Sequence, residues 1–306
     1  IAAMPPRAAI EKRVAALIAG LTARGSLPAR ETAAQRKLRL AAEDAKWKSE
    51  AESFAKQIWP TNIGNGAVLV VPHGALAHVP FGLIAPGANI ATAPSASLQA
   101  HLGTASKAPS ALAIVADPVL GNEWPPLAFA AEEAESIAAM APAADVTIRT
   151  REKAARGPEL LRELSRHRIL HFATHAEMNH ANPSKSLIAL TDSALTLDDI
   201  NNMRIDADLV VLSACRTALG QELKGEGLLG LTHGFLNAGA NRVLATLWSV
   251  DDQASSAFMR EFYTNLLRKS LPPPQALSEA QAAIRKNPRW AHPWYWAGFA
   301  LHGYWR

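Results

Sequence analysis

Two stretches near the N-terminus carry apolar residues at the spacing of an α-helix. Residues 8–23 and 30–58 contain few helix breakers, and the segment "GSLP" at 25–28 separates them. The apolar face of the first stretch is formed by Val14, Leu17, Ile18 and Leu21. We therefore predict two helices, followed by a loop, "PTNIGNG" at 60–66, that marks a domain boundary. If this boundary is right, a helical arm, residues 1–59, is separable from a body, residues 60–306.

The pattern changes after residue 66, where short apolar runs alternate with helical stretches. Strands are predicted over 67–72, 111–118, 145–150, 168–174, 208–214, 241–248 and 294–305, and helices over 129–141, 157–167, 225–240, 252–269 and 274–286. Residues 73–84 suggest a hairpin or short strands, and residues 186–200 a hairpin that turns around Asp192 and Ser193. Strands that alternate with helices form right-handed crossovers and a mostly parallel sheet, buried on both faces. The predicted fold class is α/β, with helices flanking the sheet and an N-terminal helical arm.

Composition narrows the classes of protein. A hydrophobic content of 49% and a charged content of 19% are ordinary for a globular protein, and no apolar run is long enough to span a membrane. Residues 1–59 hold 11 Lys/Arg against 6 Asp/Glu, whereas the rest of the chain is nearly neutral, so the body shows no nucleic-acid footprint. A single cysteine excludes an intrachain disulfide and fits a reducing compartment, the cytoplasm. Because the sequence begins at Ile1, we expect it to be part of a longer protein.

The one cysteine lies where an apolar run stops. The run "LVVLSA" ends at Cys215, and the previous long parallel strand, "ILHFAT", ends directly before His175. In open parallel sheets, sites form at the carboxyl ends of the strands, and a histidine can activate a thiol there. If the two strands are neighbours, Cys215 and His175 meet at one edge of the sheet. The competing interpretation is an inert structural cysteine.

Two other patterns suggest different chemistry, and we consider both weaker. His171, His175 and His180 could form a zinc site, but four residues of a strand span about 13 Å, too far for one metal. His171 is then predicted to be a hydrogen-bonded core residue. The segment "GEGLLG" at 225–230 matches a dinucleotide-binding glycine pattern, with Asp251 about 20 positions later. Ten residues separate it from its strand, however, whereas such a glycine loop must leave the strand directly.

Several segments together resemble one family. The segments "ILHFATHAEMN", "LVVLSACRTALG", "GEGLLGLTHGFLNAGANRVLATLWSVDD" and "HPWYWAGFALHG" are similar to those of the CHAT family of caspase-like cysteine peptidases, relatives of caspases and separase. The upstream segments "VLVVPHGALAHVPFGLI" and "LTLDDI" also fit. The resemblance covers roughly residues 66–306 and implies a catalytic dyad of His175 and Cys215. Family members often carry tetratricopeptide (TPR) repeats upstream, so the arm resembles the end of such a region. Many caspase relatives have glycine after the catalytic histidine, where this chain has Ala176.

The resemblance implies an endopeptidase that works through a thioester acyl-enzyme and needs no metal or cofactor. The backbone N–H groups of Ala176 and Cys215 would hold the oxyanion. Ser213, two positions before the cysteine, is expected to line the substrate pocket together with Asp251 and Asp252, unless the aspartates cap the helix that begins near residue 252. The expected partners are a protein substrate and an activating or recruiting protein bound through the arm. The alternative function is a catalytically silent adaptor with the same fold.

Overall fold

The structure, a computed structural model, describes residues 5–25, 28, 30–60, 63, 66–100, 102–103, 111–122, 124–179, 181–213 and 227–305. Its strands are β1 (Ala67–Val70), β2 (Asn89–Thr92), β3 (Leu112–Ala116), β4 (Val146–Thr150), β5 (Ile169–Ala173), β6 (Ala176–Glu177), β7 (Leu187–Leu190), β8 (Ser193–Thr196), β9 (Leu209–Leu212), β10 (Arg242–Thr246) and β11 (Phe299–Gly303). Its helices are α1 (Arg7–Thr22), α2 (Ala33–Ile58), α3 (Phe81–Ile84), α4 (Ala130–Ala138), α5 (Gly157–Leu164), α6 (Leu197–Asn201), α7 (Gly227–Asn237), α8 (Asp252–Tyr263) and α9 (Pro273–Lys286).

In this part of the chain, eight strands form one sheet in the order β1-β2-β11-β10-β9-β5-β3-β4. Neighbouring strands run parallel except β10 and β11, which are antiparallel. The strands β6, β7 and β8 form a small antiparallel sheet beside it. The predicted α/β class with a mostly parallel sheet is therefore confirmed.

The two faces of the large sheet are covered by different helices. Along β9, Leu209 and Val211 belong to one buried cluster, and Val210 and Leu212 to the other, as expected when side chains alternate across a strand. The first cluster is completed by α1, α2, α4, α8 and α9, and the second by α5, α6 and α7. This burial on both faces explains the continuous apolar run that predicted the strand.

Most predicted elements are present, and three regions differ. The strand predicted over 294–305 is confined to β11, because Pro293–Tyr295 form a helical turn. Residues 73–84, expected to form a hairpin or short strands, instead form a helical turn (Gly74–His78) and helix α3. Strand β2 was not predicted, although it joins β1 to β11 in the sheet. The hairpin of β7 and β8 is confirmed, and its turn places Asp192 at a left-handed φ of 55°. Asparagine and aspartate tolerate this conformation better than other residues with a side chain.

The helical arm packs on the body. Val14, Leu17 and Phe54 share a buried cluster with residues of α8, α9 and the sheet. At the junction, Asp44 of α2 accepts a hydrogen bond from His292 Nε2 at 2.8 Å, and its other oxygen lies 3.0 Å from the guanidinium of Arg24. The division at residues 59 and 60 stays a prediction, and expression of residues 60–306 alone would test it. Within the described residues, no helix is both long and apolar enough to cross a bilayer.

Candidate functional site

The two strands that end at the predicted dyad are neighbours. Strands β5 and β9 pair in parallel at the centre of the sheet, with Phe172 opposite Leu212. His175 lies three positions beyond Phe172, and Cys215 lies three positions beyond Leu212 in the sequence. Cys215 itself lies outside the described residues. The expectation that the two strands are adjacent is confirmed, and the dyad stays a prediction.

The imidazole of His175 is held on one face and at one edge. Its ring stacks on the indole of Trp124, with 5.1 Å between centroids and 25° between planes. Its Nε2 lies 2.7 Å from the backbone oxygen of Pro125. Because a carbonyl oxygen only accepts hydrogen bonds, the proton is on Nε2, and in the neutral ring Nδ1 carries the lone pair. Sequence reasoning found neither partner, because no local pattern links residues 124 and 125 to a histidine some 50 positions later.

The backbone after His175 turns into the small sheet. The oxygen of His175 accepts a hydrogen bond from the N–H of Ala189 at 2.8 Å, and Thr174 Oγ1 donates to the oxygen of Ala189 at 2.7 Å. The next pair, Ala176 and Ile188, is therefore of the type that exchanges no backbone hydrogen bonds. The N–H of Ala176 consequently points away from β7. This orientation leaves it suited to bind an oxyanion, a role that stays a prediction.

Ser213 continues β9 by one residue. Its N–H donates to the oxygen of Phe172 at 2.9 Å, and the residue is buried. Side chains alternate along the strand, so Ser213 shares the face of Leu209 and Val211, the face covered by α4 and α8. If Ser213 lines the substrate pocket, as predicted, the pocket lies on that side of the sheet.

Asp251 and Asp252 each bind the backbone at the start of a helix. Asp251 caps α8, because its carboxylate accepts a hydrogen bond from the N–H of Ala254 at 2.9 Å. The carboxylate of Asp252 accepts a hydrogen bond from the N–H of Phe129, directly before α4, at 2.9 Å. Burial raises the pKa of Asp252, and the charges of Glu133 and Asp251 raise it further, against the effect of the Phe129 hydrogen bond. The capping alternative is thus confirmed for Asp251, and a pocket role for either residue stays a prediction.

His171 is a hydrogen-bonded core residue, as predicted. Its Nε2 lies 2.9 Å from the carboxylate of Glu133, and its Nδ1 lies 3.1 Å from the hydroxyl of Tyr263. All three side chains are buried. A neutral ring protonated on Nε2 satisfies both contacts, while burial and the Glu133 charge raise the pKa of Tyr263.

The two alternative chemistries gain no support from the described residues. Both nitrogens of His171 contact protein groups, His180 lies outside the described residues, and the described part holds no cluster of three or more His, Cys, Asp or Glu suited to a metal. Of the "GEGLLG" segment, residues 225 and 226 also lie outside the described part. Helix α7 begins at Gly227.

The fold defines the class of protein: the chain has a caspase-like α/β fold. Its structure is similar to that of separase in the separase–securin complex of Saccharomyces cerevisiae, with a TM-score of 0.57 and 14% identity over 90% of this chain and 18% of that chain. It is also similar to the Arg-specific cysteine proteinase gingipain R (RgpB), with a TM-score of 0.53 and 10% identity over 97% of this chain and 74% of that chain. At these identities the likeness shows the fold alone.

The sequence shows the family. A sequence model of the CHAT domain matches residues 52–304, and the chain belongs to the CHAT domain family. Tetratricopeptide repeat protein 28 of Mus musculus is 40% identical over 114 residues, which are 37% of this chain and 5% of that protein. The Homo sapiens protein of the same name is 36% identical over 114 residues, 37% of this chain and 4% of that protein. The match therefore spans only a small part of the curated relatives.

Proposed function

We propose that this chain is a cysteine endopeptidase with a catalytic dyad of His175 and Cys215. The observation that carries the proposal is the held imidazole of His175, at the carboxyl end of the strand paired with the one that leads to Cys215. Its hydrogen bond to Pro125 holds the proton on Nε2, so Nδ1 is the nitrogen that exchanges a proton during the reaction. A backbone carbonyl thereby supplies the orientation that an aspartate or asparagine side chain supplies in other peptidases.

The proposed reaction has two halves. Nδ1 of His175 first takes the thiol proton of Cys215. The resulting thiolate attacks the scissile carbonyl carbon, so that a C–S bond forms and the carbonyl oxygen becomes an oxyanion held by the N–H groups of Ala176 and Cys215. His175 gives its Nδ1 proton to the leaving amine as the C–N bond breaks, which leaves a thioester. A water molecule then gives a proton to Nδ1 of His175 while its oxygen attacks the thioester carbon, and the C–S bond breaks. The sulfur of Cys215 takes that proton back from His175, and the carboxylic acid product loses its proton to the solvent.

The arm and the upstream region are proposed to regulate this site. Helices α1 and α2 share a buried cluster with the body. A protein bound to these helices would therefore bind the same packed unit that contains the proposed site. Both curated relatives are named tetratricopeptide repeat protein 28. This name supports the proposal that a region upstream of the CHAT domain recruits a protein. The single cysteine supports a reducing, cytoplasmic setting.

Thiol reactivity tests the dyad before any substrate is known. Because the chain holds one cysteine, mass spectrometry after iodoacetamide treatment reports Cys215 alone. A thiolate paired with His175 should alkylate quickly at pH 6–7, where an ordinary thiol is mostly protonated. We expect His175→Ala to slow the reaction strongly and His73→Ala, an exposed control, to leave it unchanged. Equal rates in wild type and His175→Ala would instead favour the silent adaptor.

Mapping new protein N-termini in cells then tests the peptidase itself. Cells that express the wild-type chain should contain cleavage products that are absent from cells expressing Cys215→Ala. The variant should fold like the wild type if the thiol lines a cleft. Identical sets of N-termini together with a reactive thiol would show that the activating signal is missing or that the chain does not cleave proteins.

A further inference from the structure

A loop that crosses the end of the sheet holds the proposed catalytic histidine. It runs from the end of β3 to the start of α4, over residues 117–129, and residue 123 lies outside the described part. Two consecutive residues of the loop contact the imidazole: Trp124 stacks on its face and the oxygen of Pro125 accepts its Nε2 proton.

The two contacts restrict different motions. The hydrogen bond at Nε2 fixes one edge of the ring, and this contact by itself permits a pivot about it. The broad indole plane removes this freedom, since a pivoted imidazole would overlap it. The centroid separation of 5.1 Å lies within the range of favourable aromatic pairs. Trp124 is only partly buried, so its indole is not simply a filler of the core.

The loop itself is anchored at both ends. At its start, Asp117 donates its N–H to the oxygen of Ala173 at 3.2 Å and accepts the N–H of Arg151 at 3.1 Å. At its end, the N–H of Phe129 is bound by Asp252 at 2.9 Å. Between them, the N–H of Trp124 closes a turn onto the oxygen of Gly121 at 3.1 Å. The indole is therefore presented by a braced segment of backbone.

We propose that Trp124 is a positioning residue that holds the ring plane of His175, so that Nε2 stays on the Pro125 carbonyl and Nδ1 stays aimed at the reacting groups. That Trp124 orients the ring of His175 is argued from the geometry alone. That this orientation affects catalysis rests on the proposed function, the dyad of His175 and Cys215. The predicted order of positioning strength at this position is Trp, then Phe, then Leu, because only an aromatic plane covers the imidazole face.

Nitrogen-15 spectra of labelled histidine measure the ring directly. The His175 signals are assigned by their loss in His175→Ala. In wild type we expect one tautomer, with the proton on Nε2, ring C–H protons shifted upfield by the indole current, and cross-relaxation between the two rings. Trp124→Phe should keep the tautomer, and Trp124→Leu should give averaged signals from both tautomers.

Alkylation of Cys215 by iodoacetamide measures the consequence. Trp124→Leu should react about three- to tenfold more slowly than wild type, the equivalent of one lost aromatic contact, and Trp124→Phe should recover most of the rate. The matched control is Trp59→Leu, which removes another partly buried indole with an aromatic neighbour, Phe81, and should change neither readout.

The outcomes separate the two proposals. A Trp124→Leu protein that keeps the Nε2–H tautomer and the wild-type alkylation rate would overturn the positioning role. Should this variant fail to fold, wild-type spectra without an upfield shift or cross-relaxation to the indole would overturn it equally. If the tautomer responds to Trp124 but wild type and His175→Ala alkylate at the same rate, the positioning of the ring stands and the peptidase dyad fails.

Discussion

The carboxylate of Asp252 accepts a hydrogen bond from the N–H of Phe129, with 2.9 Å between oxygen and nitrogen. The bond joins the start of α8 to the start of α4, and it crosses 123 residues of sequence. It also closes the end of the loop that carries Trp124 and Pro125 to His175. A residue expected to line a substrate pocket therefore also braces the segment that holds the histidine.

Replacement of Asp252 should separate its hydrogen bond from its charge. Because burial raises the pKa of Asp252 above its ordinary 3.8, the fold disfavours the ionised form. The stabilisation that the protonated carboxyl of Asp252 gives to the fold is therefore complete below pH 3.8. It is lost as the pH rises through the raised pKa of the folded protein. We expect Asp252→Asn, which keeps an oxygen for Phe129, to be at least as stable as wild type at pH 7. Asp252→Ala should lose about 1–3 kcal/mol.

Urea denaturation of the three proteins between pH 3.5 and 7 measures these differences. The stability gap between Asp252→Asn and wild type should grow in favour of the variant as the pH rises. Equal losses in the Asn and Ala variants would show that the negative charge itself stabilises the fold, contrary to the sign derived from the raised pKa.

Replacement of His171, which lies in β5, and of His175, which lies just beyond it, should have different effects. His175→Ala should lower the rate of peptide cleavage by orders of magnitude, because the proposed reaction needs its imidazole, and should destabilise the protein less than His171→Ala, because it leaves only one backbone oxygen, that of Pro125, without its described donor. His171→Ala should destabilise the protein by about 2–5 kcal/mol, because Glu133 and Tyr263 would be left buried without their partner. Thermal unfolding and peptidase assays on both variants decide, and equal catalytic loss in two stably folded proteins would contradict this division.

His292 should make the junction between arm and body sensitive to acid. Burial lowers the pKa of His292 to about 4 from 6.5, and the Arg24 charge lowers it further, which outweighs the opposing effect of Asp44. The ring is therefore neutral in the folded protein. Its contribution to stability is present above pH 6.5 and is lost as the pH falls toward 4, because the unfolded chain takes up the proton first.

The test compares wild type with His292→Gln, whose side-chain amide can still donate to Asp44 but does not titrate. We expect wild-type stability to fall more steeply than that of the variant between pH 6.5 and 4 in chemical denaturation. Parallel curves for the two proteins over this interval would show that folding does not lower the pKa of His292.

Local patterns predicted the parts of the fold that depend on local sequence. The apolar run of β9 and the alternation of strands and helices identified the sheet, and the sudden end of apolar residues identified His175 and Cys215 as candidates. Strand β2 was missed because "NIAT" is short and its partners, β1 and β11, lie on opposite sides of it in sequence. The hairpin expected over 73–84 was wrong because Pro80 and the following apolar residues also suit the short helix α3.

The site shows the same limit more sharply. His175 follows the end of a strand, a feature visible in the sequence. Its contacts with Trp124 and Pro125 depend on the path of the loop between β3 and α4, which the sequence does not show. The segment "WPPLAF", residues 124–129, has no periodic pattern that would predict its contact with His175. Asp252 was recognised as lying near the edge of the sheet, yet its actual partner, the N–H of Phe129, is a backbone group with no signature in the sequence.

The final prediction concerns the residue that donates the scissile carbonyl of the substrate. Ser213 is small and neutral, so by itself it selects no charge in the substrate. Asp251 and Asp252 follow β10, the neighbour of β9, and together with Glu133 they make the start of α8 acidic. Like charges close together are unfavourable, so we expect kcat/KM for aspartate or glutamate at this substrate position to be lower than for neutral residues by at least about tenfold.

A positional peptide library tests the sign of this selection and then its source. A basic residue should be preferred if Asp251 or Asp252 faces the pocket, and an apolar or small residue otherwise. Asp251→Asn is a suitable variant because asparagine keeps the helix cap, and Asp252→Asn keeps an acceptor for Phe129. A basic preference that weakens in either variant would assign that carboxylate to the pocket, and one unchanged in both would remove the two residues from it. Preferred cleavage after aspartate would contradict the prediction, because the acidic start of α8 would then lie too far from the pocket to influence the choice of substrate.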